Sequence, residues 1–247
     1  MTIYDRYAEV YDRSGQIAFS LKMIPYLDAL LARHNFTGHT VLDLACGTGT
    51  VALAFARRGL KVYGVDASEK MLAQAQSKMR DTGLHIILSQ QDMRSFALPQ
   101  PVDLVTCLYD SLNYLLSFDD LLATFGRVSA TMLPGALFLF DMNTEHTLRE
   151  VWDNNVFYIN DDDLSIILRS TYDEAARQSH VQVIGFIRVG DKYERFEEWH
   201  TEVAYSEEEV ERALREQGLE VEAKYECFTF DPPPGETSKR IMWVARK

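Results

Sequence analysis

Asp43-Leu44-Ala45-Cys46-Gly47-Thr48-Gly49 is the stretch whose residue types and spacing promise chemistry. It follows the apolar pair Val41-Leu42 and runs into Val51-Ala52-Leu53-Ala54-Phe55, so the order is strand, glycine turn, helix. Glycines at 47 and 49 let the backbone approach a ligand and adopt angles that a side chain forbids. The free N–H groups of the helix start then face that ligand. Asp43 sets a negative charge beside those donors, which suits a ligand with a cationic amino group better than a bare phosphate. Asp66, followed by Ala67, ends the next strand and is placed to accept both hydroxyls of a ribose, at ~1.5–3 kcal/mol per bond to a charged acceptor. Gln91-Asp92-Met93 follows the third strand, where Asp92 can accept from an adenine amino group while Met93 packs on the ring. Together these residues describe a grip on a nucleoside with a positively charged amino-acid tail. Gly47-x-Gly49-x-x-Ala52 also satisfies the dinucleotide fingerprint, which keeps an NAD-dependent oxidoreductase open. Asp66 fits either cofactor; Asp43 and Asp92 speak against the dinucleotide.

The surrounding chain must supply the scaffold. Ile17, Leu21, Ile24, Leu27 and Leu31 recur at helical spacing, predicting a helix, or a pair kinked at Pro25, before the first strand. Strands at 40–44, 61–65, 85–88, 102–108 and 136–140 then alternate with helices, one starting at 50, one capped by Ser68 and one stopped by Pro134-Gly135. This alternation predicts an α/β fold, a parallel sheet with helices on both faces. The pattern changes over 151–204, where strands at 164–172, 180–189 and 192–203 read as an antiparallel β insert after the fifth strand. Its middle strand is apolar on both faces, so one face should meet the core and the other a substrate or a second subunit. A homodimer through the insert is therefore one expectation. Ser206-x-x-Glu209 marks a capping box, and strands at 219–229 and 240–245 finish the chain. The expected division is a cofactor-binding core over 1–150, a lid over 151–204 and the end of the core over 205–247.

The 247 residues are 47% hydrophobic, enough for one ordinary globular core. Acidic residues number 37 against 25 basic, a net charge of −12, which argues against a nucleic-acid binder. Cys46, Cys107 and Cys227 form no ligand cluster, so neither a metal nor a disulfide scaffold is expected. The polar start and the lack of a long apolar run predict a cytoplasmic protein with no membrane partner.

The motif at 43–49, the acid ending the second strand and the Gln91-Asp92-Met93 turn, in this order and spacing, resemble the class I S-adenosylmethionine-dependent methyltransferases over residues 36–145. The resemblance implies a Rossmann-like seven-stranded, mostly parallel sheet with an antiparallel last strand. It implies S-adenosyl-L-methionine as cofactor, its methionine part at Asp43 and the turn Ala45, Cys46, Gly47 and Gly49. It further places the ribose at Asp66, the adenine at Asp92 and Met93, and Leu108 as a wall. The family's turn often has glycine where this chain has Ala45. A closer likeness joins Tyr4-Asp5-Arg6-Tyr7-Ala8-Glu9-Val10-Tyr11-Asp12 and Asp110-Ser111-Leu112-Asn113-Tyr114 to small-molecule methyltransferases, among them glycine, sarcosine and amino-sugar N-methyltransferases. It implies a small-molecule acceptor, with nitrogen favoured over oxygen. A non-catalytic cofactor-binding protein is the remaining alternative.

Methyl transfer asks the protein mainly to align a nucleophile, exclude water and, for an ammonium or hydroxyl, remove a proton. Tyr7 and Tyr11 lie in a segment able to fold over the cofactor, where aromatic faces favour a cation. Asp110, Asn113 and Tyr114 follow the fourth strand and are candidates to orient the acceptor, and Asp141 and Asn143 share the location. His200, on the insert, is the candidate proton acceptor.

Overall fold

The computed structural model describes residues 3–247. α1 (Ile17–Arg33) precedes β1 (Thr40–Leu44), α2 (Thr50–Arg57), β2 (Lys61–Asp66), α3 (Glu69–Thr82) and β3 (Ile87–Gln90). β4 (Val102–Cys107), α4 (Phe118–Thr131) and β5 (Met132–Asn143) complete the parallel part. A second sheet follows: β6 (Val156–Asn160), β7 (Leu164–Asp173), β8 (Gln178–Val189) and β9 (Lys192–Val203). α5 (Glu207–Glu216), β10 (Glu220–Glu226) and β11 (Arg240–Arg246) return to the first sheet.

That sheet has seven strands in the order β10-β11-β5-β4-β1-β2-β3, with β11 antiparallel to both neighbours. The order reverses between β1 and β4, and a crevice opens beyond the strand ends at such a point. Successive residues of the central strands point to opposite faces. Leu42, Val105, Phe138 and Trp243 pack under α4 and α5, while Val41, Leu104, Leu137 and Val244 pack under α1 and α2. Capping fixes where the helices start: Ser68 Oγ accepts from Met71 N, and Ser206 with Glu209 forms the expected capping box.

Several expectations shift. α1 is a single helix with Pro25 inside it, and its buried stripe is Met23, Tyr26, Leu27, Leu30 and Leu31, whereas Leu21 is exposed. The third strand starts two residues later than its apolar pattern predicts. Pro134-Gly135 does not stop α4, which ends at Thr131; the pair lies in the irregular start of β5. β6 is an added strand, hydrogen-bonded along β7 at the edge of the second sheet.

The two sheets are joined by side-chain hydrogen bonds. Asn113 Nδ2 donates to Asn143 O at the end of β5 and to Val203 O at the end of β9, and its Oδ1 accepts from Asn143 N. The segment before α1 lies against both sheets. Tyr7 and Val10 form a small core with Leu164, Ile166, Val183 and Phe196 of the second sheet. No helix is long and apolar enough to cross a membrane, and no group of three or more His, Cys, Asp or Glu is placed to hold a metal, both among the described residues.

Candidate active site

The turn from β1 into α2 builds a cavity of about 380 Å³ at the strand ends. Its backbone runs through the left-handed region at Ala45 (φ 55°), Gly47 (φ 53°) and Gly49 (φ 74°). Ala45 bears the strain that a side chain meets there, roughly 1–2 kcal/mol. A Cβ on Gly47 would meet nothing within 4 Å, so the turn leaves open space on the cavity side. Gly49 faces away; a Cβ there would sit 2.9 Å from Ala75 Cβ, and its smallness lets α2 and α3 approach.

Asp43 is buried at the floor of this cavity, where Thr106 Oγ1 donates to its Oδ1 at 2.7 Å. Loss of water pushes its carboxyl up to about 7, against the opposing effect of the Thr106 hydroxyl and the Ala52 N–H. Asp66 accepts from Gly47 N and Ser68 N, each at 2.8 Å, so one carboxylate braces the glycine turn and caps the approach to α3. Burial raises its carboxyl too, and these backbone donors oppose the rise. Gln91, Asp92, Met93 and Leu108 form further walls. Gln91 closes its own loop, exchanging hydrogen bonds with Ala97 N and O. Asp92 is held by Arg94, whose guanidinium also reaches Asp120; the Arg94 hydrogen bonds lower the Asp92 carboxyl. The residues fit the expected cofactor: a buried acid for an ammonium, a second acid for hydroxyls and an open cradle at Gly47.

The segment before α1 roofs this cavity with Ile3, Tyr4 and Tyr11. It is pinned from both sides. Lys78 Nζ joins Asp12 to Thr48 and Thr50 of the glycine turn. Glu198, buried on β9, accepts from Tyr4 N at 2.9 Å, Arg6 N at 2.7 Å and Tyr7 N at 2.8 Å. Burial alone would raise its carboxyl, but His200 and the Tyr7 and Arg6 N–H groups outweigh that and hold it low.

A second cavity of about 350 Å³ lies between the two sheets. Tyr4, Tyr11, Tyr109 and Tyr114 line both cavities and form their common wall. On the far side stand Asp110, His200 and Glu202, then Val181, Val183, Leu168 and Phe157 of the second sheet. Tyr114 Oη is 3.0 Å from Tyr4 Oη and 3.1 Å from His200 Nδ1. Below the cavity Arg240 pairs with Asp110 at 2.9 Å and with Asp141.

Residues 41–135 match a family described as a methyltransferase domain. YqeM of Bacillus subtilis (strain 168), a candidate methyltransferase, is 33% identical over 250 residues, covering 99% of this chain and 97% of its own. A crystal structure of an S-adenosylmethionine-dependent methyltransferase from Clostridium acetobutylicum ATCC 824 superposes with a TM-score of 0.87 at 30% identity, covering 99% of each chain. The chain belongs to the S-adenosylmethionine-dependent methyltransferases. It is an enzyme of the class I, small-molecule type. A sugar-nucleotide N,N-dimethyltransferase of Streptomyces fradiae is 36% identical over 108 residues, 44% of this chain and 41% of its own.

Within the methyltransferase, most residues expected at the cofactor come together: Tyr11, Asp43, Ala45, Cys46, Gly47, Asp66, Ala67, Gln91, Asp92, Met93 and Leu108 all line the first cavity. Gly49 does not. Of the residues expected at the acceptor, Tyr7, Asp110, Tyr114 and His200 line the second cavity. Asn113 lies outside both, its amide fully used in holding the sheets together. Asp110 stands at the N-cap position of a short 3-10 helix, Ser111–Tyr114, but its side chain makes no capping bond; its carboxylate is tied to Arg240 and Asn143. Sequence reasoning passed over Tyr4, Tyr109, Glu198, Glu202 and Arg240. For two of them a signal exists: Glu198, His200 and Glu202 alternate along β9, three polar residues on the strand face that turns inward.

Proposed function

We propose that this methyltransferase transfers its methyl group to nitrogen of a small molecule seated in the second cavity. The observation that carries the reading is a cavity walled by acids and phenols, with no lysine or arginine among its lining residues, and sharing four tyrosines with the cofactor cavity. Bound S-adenosylmethionine supplies an electrophilic methyl on a sulfonium. The protein's part is alignment, an effect of about 7–11 kcal/mol in well-ordered cases, together with exclusion of water. The tyrosine wall favours cations on either side by ~0.5–2 kcal/mol per face. Relatives that match shorter stretches include sugar N,N-dimethyltransferases and ubiquinone-biosynthesis O-methyltransferases. Nitrogen is favoured here because acids suit an ammonium, whereas ionising a hydroxyl beside them adds like charge.

The test is methyl transfer from labelled cofactor to matched panels of primary amines and alcohols, with products identified by mass spectrometry. Amines are expected to be methylated. Product confined to the alcohols would overturn the nitrogen assignment.

A further inference from the structure

We propose that Glu202 is the residue that grips the acceptor: its Oε1 holds the ammonium of an apolar amine carrying no phosphate, and takes the proton that methylation releases. This rests on the nitrogen reading above.

Glu202 stands two residues beyond His200 on the same face of β9, is 3% exposed and lines the acceptor cavity. Asn143 Nδ2 donates to its Oε2 at 3.0 Å. Oε1 has no hydrogen-bond partner among the described residues, which leaves it free to accept from a ligand in the cavity that Glu202 lines. Charge makes the same point. The groups facing it are Asp110 from the end of β4, Asp141 from β5 and Arg240 from β11, with Tyr4, Tyr114 and His200 on the cavity side. The Arg240 guanidinium is shared between Asp110 and Asp141. Ionised Glu202 is therefore a third buried carboxylate against one guanidinium, and the arrangement has room for one more positive charge. Without a ligand, burial and the nearby Asp110 raise the Glu202 carboxyl well above the usual range and so favour its neutral form. An arriving ammonium reverses that balance and expels the proton.

His200 is less free to act. Its Nδ1 is engaged by the Tyr114 hydroxyl, and its Nε2, buried and without a hydrogen-bond partner, is turned toward Glu198 at 3.5 Å, the carboxylate that clasps the N-terminal segment. We therefore assign His200 to positioning Tyr114. The remaining wall, from Trp152, Phe157, Ile159, Leu168 and Val183, offers apolar surface. With no lysine or arginine lining it, a phosphate or carboxylate there would lose its water without gaining a partner. In the transfer one N–H bond breaks and its proton passes to Oε1, while the freed nitrogen pair forms the new N–C bond as the S–C pair stays on sulfur. Glu202 keeps that proton as product leaves, which restores its ligand-free state, and the one proton lost to water per turnover is the one expelled when the ammonium binds.

The experiment titrates 2-phenylethylamine, 2-phenylethanol and 2-phenylethyl phosphate into enzyme loaded with S-adenosylhomocysteine, by calorimetry. The amine is expected to bind at least about tenfold tighter than the alcohol, with no detectable binding of the phosphate. Glu202→Gln should weaken the amine about tenfold and leave the alcohol within roughly twofold. Calorimetry in buffers of differing ionisation heat should read about one proton released when the amine binds wild type and none in Glu202→Gln. Unchanged affinity for S-adenosylhomocysteine establishes that the variant is folded. Equal amine affinity in both proteins, phosphate binding as tight as the amine, or no binding by any amine of roughly four to ten carbons overturns the proposal. An amine that wild type methylates but that Glu202→Gln binds undiminished removes only the Glu202 assignment. Alcohols that bind tighter than amines and become methylated remove the nitrogen reading itself.

Discussion

Asp43 ties acid–base chemistry to both stability and binding. Its carboxyl titrates at about 7 because it is buried, with only Thr106, the Ala52 N–H and the more distant charge of Asp66 acting on it. In the unfolded chain it titrates near its ordinary ~3.9. Between those values the folded state holds a proton that the unfolded state has lost, so stability falls as pH rises through that window. The ligand-free enzyme is expected to melt at a lower temperature at about pH 8 than at about pH 5, with Asp43→Asn reducing the difference. Cofactor affinity should run the other way. A cationic tail needs the ionised acid, so binding should strengthen roughly tenfold from about pH 6 to about pH 8, and Asp43→Asn should remove that slope in calorimetry. Asp43 and Asp66 were legible in the sequence because a strand, a glycine turn and a helix fix where they stand. Asp92 was legible in place but not in state, since Arg94, two residues on, captures its carboxylate. Glu202 was hidden because its meaning depends on Arg240, nearly forty residues away, already being shared.

Among the elements, the ends of β4, β5 and β11 are held by one guanidinium. Arg240 is the first residue of β11, Asp141 belongs to β5 and Asp110 follows β4. Removing one side of a buried ion pair leaves charge without a partner, at about 3–5 kcal/mol. Arg240→Met is expected to lower unfolding free energy in urea by that order, and adding Asp141→Asn should recover part of it. The strands that build this region were readable from apolar runs and turn residues. Elements that lack such a pattern were not. β6 has exposed Val156, Phe157 and Tyr158 in succession, so no alternation marks it, and its pairing with β7 supplies the strand. In α1 two apolar stripes compete; the one through Tyr26 and Leu30 wins because it packs against Val41 and Phe55 of the core.

Across the whole molecule, the segment before α1 belongs to neither sheet yet is fastened to both. Glu198 on the second sheet accepts three of its backbone N–H groups, and Ser68 at the cofactor cavity donates to Tyr4 O. A charged acceptor contributes ~1.5–3 kcal/mol per hydrogen bond, so Glu198→Ala should free this segment. Limited trypsin digestion is expected to cut the variant after Arg6 and Arg13 faster than wild type, and cofactor should bind it at least about tenfold more weakly. Equal cleavage rates would show that the clasp does not hold the roof. The sequence announced a tyrosine-rich cover but not its fastening, because Glu198 and Tyr4 meet only after the insert has folded back onto the core. The common tyrosine wall has an evolutionary consequence. Methyl donor machinery sits on one side of it, and most of the opposite side comes from strands contributed by the insert. Selection can rework those strands, and with them the choice of metabolite, while inheritance of the donor half stays undisturbed.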